Sequence, residues 1–148
     1  MGEDVNLIKL YSQQILSLAA NIPMTGPITS PDGSGRARSP LCGSTVSVEL
    51  KISNDRISEF NQDVKACALG QAAASVVGSN IIGRTRDEVQ LAFGQLGAML
   101  GENGPPPAPP FDELHVLEPA RQYRNRHASI LLSLEATLSA FDAAARKR

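Results

Sequence analysis

Tryptophan is absent from these 148 residues, aromatics make up only 4%, and there are just two cysteines. Two cysteines cannot build a disulfide framework. No apolar run approaches the ~18 residues that a bilayer crossing needs, so no membrane association is expected. Neither sign of charge is in excess. Lys and Arg number 14 against 15 Asp and Glu, a formal net charge of −1, which argues against a protein built to neutralise nucleic-acid phosphates. The opening Met-Gly-Glu-Asp lacks the basic start of a secretory signal, and position 6 is not the Ser or Thr of a myristoylation site, so the expected location is cytoplasmic. There is no P-loop, no HExxH and no Ser-His-Asp pattern, and Gly33-Ser34-Gly35 is too short and isolated to cradle a phosphate. What remains is ordinary globular usage, 42% hydrophobic and 20% charged, in a length that suits one domain spanning 1–148 with a single core.

Hydrophobic spacing predicts an N-terminal helix over residues 4–22, with Ile8, Tyr11, Ile15, Leu18 and Ile22 on one stripe, Asp4 as its cap and Pro23 at its end. Met24 to Pro40 contains three prolines and three glycines and reads as an irregular connection with a short strand around Arg36–Ser39. From Thr45 to Ser53 apolar and polar residues alternate strictly, the pattern of a strand with one face buried. Asn54-Asp55 suits a tight turn, because both residues tolerate positive φ. Ile57 to Ala66 returns as a second strand with Phe60, Val64 and Ala66 in phase. Ile57 is out of phase with them, which predicts a bulge near Ser58–Glu59.

A small-residue helix follows over 68–82, ended by Gly83, and Thr85-Arg-Asp-Glu88 reads as a capping box opening the next. The Pro-rich stretch 103–111 cannot continue a helix. Helical pattern resumes at Asp112, breaks around Arg124–Asn125, and ends in a helix presenting Ile130, Leu131, Leu134, Leu138 and Phe141 inward. The expected fold is α+β: a short antiparallel β-meander of about three strands, helices packed on one face, and long N- and C-terminal helices.

Cys42 lies immediately before the clearest strand, and Cys67 where the second strand gives way to the small-residue helix. At a helix start, unpaired amides and the macrodipole favour a thiolate. A hairpin brings the entry of its first strand and the exit of its second to the same end, so the two thiols are expected close together. Two readings stand at this point: metal or sulfur ligands, or buried small hydrophobes. His127, opening the last apolar helix, is a candidate third soft ligand or a water-exposed histidine. His115, beside Val116 and Leu117, reads as structural.

Ser39-Pro40-Leu41-Cys42-Gly43 before an alternating hairpin resembles the U-type iron–sulfur cluster assembly scaffolds, the IscU, SufU and NifU N-terminal domains. The likeness continues through Lys65-Ala66-Cys67-Ala68-Leu69-Gly70-Gln71-Ala72-Ala73-Ala74-Ser75, the Thr85-Arg-Asp-Glu88 helix start, and Asn125-Arg126-His127-Ala128-Ser129-Ile130-Leu131. The Pro-rich insert looks like the longer loop of the SufU-like branch.

In that family three cysteines and one aspartate hold a nascent cluster or a zinc ion. The resemblance implies that Cys42 and Cys67 are the first two of these cysteines. Ser44 stands where the aspartate belongs, Ala128 stands where the third cysteine belongs, and His127 matches the residue before it. The implied cofactor-binding and metal set is therefore Cys42, Cys67 and His127, for a labile iron–sulfur cluster or a single zinc or iron ion. The implied role is that of a non-enzymatic scaffold that receives sulfur from a cysteine desulfurase and serves recipient apoproteins, as a monomer or homodimer. The two lost ligands leave alternatives open: a degenerate homologue that binds or regulates the desulfurase, or a zinc-dependent sulfur acceptor.

Overall fold

A computed structural model describes residues 11–147. The expected Asp4 cap, Ile8 and the closing Arg148 lie outside them. Among the described residues the first helix, α1, spans Gln13–Ala20. It does not run on unbroken from position 4. Ser12 is extended (φ −59°, ψ 161°), and its hydroxyl accepts from the Ile15 amide at 3.2 Å, so the helix starts afresh there. Ile15 is fully buried while Leu16 faces outward, as an amphipathic helix requires.

The sheet is antiparallel, in the order β1 (Gly33–Arg38), β2 (Thr45–Ser53), β3 (Arg56–Lys65). Val46, Val48 and Leu50 point into the core from β2, and the alternating residues face solvent. Asn54 and Asp55 take φ of 53° and 63°, making the tight turn. Lys51 pairs with Glu59 and Ile52 with Ile57, which leaves Ser58 unopposed. That bulge brings Ile57 back to the buried face. Three positions on this face differ from expectation. Val64 and Ala66 are half-buried, and Gln62 is buried between Phe60 and Val64. Gln62 is tolerated because its Nε2 donates to the carbonyls of Ala74 (3.0 Å) and Pro23 (3.2 Å).

β1 begins three residues earlier than the predicted Arg36 start, at glycines that leave no hydrophobic signal. Their role is close approach. A Cβ on Gly35 would stand 2.5 Å from the Ala140 amide nitrogen, and one on Gly33 would stand 2.8 Å from that of Ala144. The C-terminal helix thus lies almost backbone to backbone on β1.

After β3 come α2 (Ala68–Asn80), α3 (Arg86–Gly101), a 3-10 helix over Asp112–Gln122, and α4 (Arg124–Arg146). α2 is buried on nearly every side from Leu69 to Gly78, and from Ala72 to Gly78 its buried residues are all Ala, Ser, Val or Gly, small enough for close packing all round. It ends before Ile81, at Asn80, with Gly83 (φ 87°) turning the chain. The α3 capping box is complete: Thr85 Oγ1 accepts from the Glu88 amide, and the Glu88 carboxylate accepts from the Thr85 amide. The final break falls at Tyr123, one residue before the expected position, where ψ of 72° ends the 3-10 turn. α4 is long and apolar enough to cross a membrane, yet most of it is buried in this core.

Candidate functional site

Three elements meet at the end of the sheet where β2 begins. The β1–β2 loop carries Ser39, Cys42 and Ser44, Cys67 is the N-cap of α2, and Ser129 lies in the second turn of α4. The loop is shaped by its backbone: the Ser39 amide donates to the Ser44 carbonyl (2.8 Å), the Gly43 amide donates to the Ser39 carbonyl (2.9 Å), and Gly43 has φ 70°. This turn leaves Leu41 and Cys42 exposed and folds Ser39 and Ser44 inside.

The two sulfurs are joined through hydroxyls. Cys42 Sγ lies 3.1 Å from Ser44 Oγ and 3.3 Å from Ser39 Oγ. Ser129 Oγ donates to Ser44 Oγ at 3.1 Å and lies 3.5 Å from Cys67 Sγ. A hydroxyl has one proton to give. While Ser129 donates to Ser44, it can only accept from Cys67, and Ser44 is left free to donate to Cys42. The chain therefore runs from Cys67 to Cys42, and reversing it would serve a thiolate at Cys67.

Both thiols are acidified. Partial burial opposes the Cys42 thiolate, but the hydroxyls of Ser39 and Ser44, the Ser44 amide and Ser129 outweigh it and bring the pKa from 9.0 to about 7. Cys67 is also lowered, against a larger burial penalty. The Gly70 amide, the Ser129 hydroxyl, the Leu69 amide and Arg126 favour its anion. These amides belong to the first turn of α2, where the helix dipole also favours an anion.

Cys42 and Cys67 are thus brought into one network. His127 does not join them in this arrangement: its Nε2 lies 2.9 Å from the Ala120 carbonyl. A carbonyl can only accept, so Nε2 carries a proton and donates it to Ala120. Among the described residues no three His, Cys, Asp or Glu side chains are grouped to hold a metal ion. Ala128 is half-buried, and His115 is exposed, not the structural residue expected. The residue that sequence reasoning missed is Ser129. A serine two positions beyond a histidine carries no signal of its own.

An α+β fold with helices over one sheet face thus displays two thiols where a loop meets two helix starts. The chain belongs to the NifU-like N-terminal domain family, whose model matches residues 10–113 and so includes both cysteines. The solved N-terminal structure of a nitrogen-fixing NifU-like protein from Brucella abortus is 40% identical, with a TM-score of 0.92 over 97% of this chain and 99% of that one. A candidate iron–sulfur cluster assembly scaffold protein for the SUF system from Fervidobacterium islandicum is 19% identical, with a TM-score of 0.79 over 90% and 97% of the two chains, a likeness of fold. Iron–sulfur cluster assembly scaffold protein IscU 1 of Archaeoglobus fulgidus is 27% identical over 79 residues, 53% of this chain and 52% of that protein. The chain spans about half the length of the curated relatives it matches.

Proposed function

We propose that this protein is an iron–sulfur cluster assembly scaffold, with Cys42 and Cys67 holding a nascent, labile cluster or a single iron or zinc ion for transfer to apoproteins. The observation that carries this reading is the hydroxyl-linked pair of acidified thiols in a chain of the NifU-like family. A thiolate is the form that binds metal and attacks persulfide sulfur. At pH 7 Cys42 supplies it to a large extent without a metal to displace its proton.

Two thiolates satisfy half the coordination that a cluster normally draws from protein. In this reading His127 is the auxiliary ligand, on a ring turned away from its present bond to the Ala120 carbonyl. The remaining positions are open to solvent or to thiolates of a recipient apoprotein. Incomplete coordination suits a cargo that must leave. The exposed Cys42 loop is the natural point of entry for sulfur from a cysteine desulfurase: the Cys42 thiolate attacks the outer sulfur of the donor's persulfide, the donor's S–S bond breaks, and the donor cysteine leaves as a thiolate. The role is one of holding and passing on, not of turnover, so the protein is not an enzyme in its own right. The whole of 1–148 acts as one domain in this reading, cytoplasmic, where free thiols persist.

The test is Co2+ binding to the full chain under reducing conditions. Sulfur-to-cobalt charge-transfer absorption is expected in the wild type, sharply weakened by Cys42→Ser or Cys67→Ser and less so by His127→Ala. Absence of that absorption in the wild type would contradict the reading.

A further inference from the structure

We infer that Ser129, acting through Ser44, is the positioning residue that holds Cys42 and Cys67 as one pair. This rests on the scaffold reading only in that the two thiols act together. Three observations carry it.

The first is the bridge itself. Ser129 is 1% exposed and Ser44 4%, and the 3.1 Å bond between them connects α4 to the β1–β2 loop while Ser129 also reaches Cys67. The second is how α4 uses its hydroxyls. Thr137, two turns further on, bonds the Ser133 carbonyl at 2.7 Å, the usual course for a hydroxyl inside a helix. Ser129 instead commits its hydroxyl across elements. The third is the notch that admits it. A Cβ at Gly70 would stand 2.6 Å from Ser129 Oγ and 3.1 Å from its carbonyl oxygen. The first turn of α2 therefore lacks a side chain at the point where this hydroxyl must pass to reach Cys67.

The loop needs such a tether. Pro40, Leu41, Cys42 and Gly43 are all exposed, with Leu41 at 75%. Ser39 and Ser44 are its buried ends, and Ser44 is the one bonded to the helical layer. Removing the Ser129 hydroxyl leaves Ser44 and Cys67 without a common partner and frees Cys42 to drift from Cys67. The device is electrically neutral: it sets distance without adding a ligand charge.

The experiment uses the metal-free full chain at a pH above both thiol pKa values. Dibromobimane bridges two thiols only if both are within its short reach, and monobromobimane reports each thiol's own reactivity. In the wild type the two cysteines are expected to cross-link. In Ser129→Ala the ratio of cross-linking to single alkylation should fall about fivefold, the worth of one hydrogen bond. Ser44→Ala should show the same loss from the loop side, and the double variant should be no worse than either, since each interrupts the same Cys67–Ser129–Ser44–Cys42 chain. An unchanged ratio in Ser129→Ala, or losses that add in the double variant, would overturn the inference and make Ser129 a packing residue. Failure of the wild type to cross-link would overturn it as well. Failure to bind Co2+ would instead strike the scaffold reading and leave the cross-linking result standing.

Discussion

At the scale of single residues, the chemistry lies in how three serines treat two sulfurs. Cys42 is mostly exposed yet acidified, because hydroxyls and an amide converge on it from its own loop. Its alkylation by iodoacetamide should be half-maximal near pH 7, rising with pH, whereas the same thiol in denaturant should titrate near the ordinary 9.0. Ser39→Ala should move the folded midpoint upward, since it removes a group that favours the anion; an unmoved midpoint would contradict this. Cys42 and Cys67 were legible in the sequence, by element ends and by family motif. The Ser44–Ser129 bond was not, because 85 residues separate its partners and neither stands out in composition. His127 was legible as a candidate but not its orientation, which depends on a carbonyl in the 3-10 segment seven residues earlier.

At the scale of elements, close packing of backbone decides where the site sits. α4 reaches the cysteines with its first turns because its Ala136, Ala140 and Ala144 stripe settles on Gly33 and Gly35 of β1. Gly33→Ala and Gly35→Ala should each destabilise the fold by about 3 kcal/mol through overpacking, measured by chemical denaturation. A change under about 0.5 kcal/mol, the range of neutral surface substitutions, would contradict the packing. Thr85→Ala should cost about 1 kcal/mol by removing half of the α3 capping box, far from the sulfurs, with Cys42 reactivity unchanged. The strict alternation of β2, the Asn54-Asp55 turn and the Thr85–Glu88 box could be read directly, because each is written in a few adjacent residues. The start of β1 could not. Its glycines are chosen by a helix more than 100 residues later, and a strand whose inward residues lack side chains has no period to detect.

At the scale of the whole molecule, the fold is that of the NifU-like family, and in the scaffold reading Cys42 and Cys67 are two of the four ligands that the resemblance implies. In that reading Ser44 and Ala128 stand where an aspartate and a third cysteine are expected. The first of these replacements is reused: Ser44 becomes the link through which the two remaining thiols are held together. In the scaffold reading, a neutral hydroxyl at Ser44 and a methyl at Ala128 in place of two charged ligands lower the negative charge facing the cargo, which favours loose holding and easy release. The most direct test is the iron and acid-labile sulfide content per chain after anaerobic reconstitution with ferrous iron, cysteine, a cysteine desulfurase and dithiothreitol as the reductant that takes persulfide sulfur to sulfide. The scaffold reading expects both in stoichiometric amounts, lost in Cys42→Ser and in Cys67→Ser. Neither iron nor sulfide in the wild type, with both thiols still free to titrate, would contradict it.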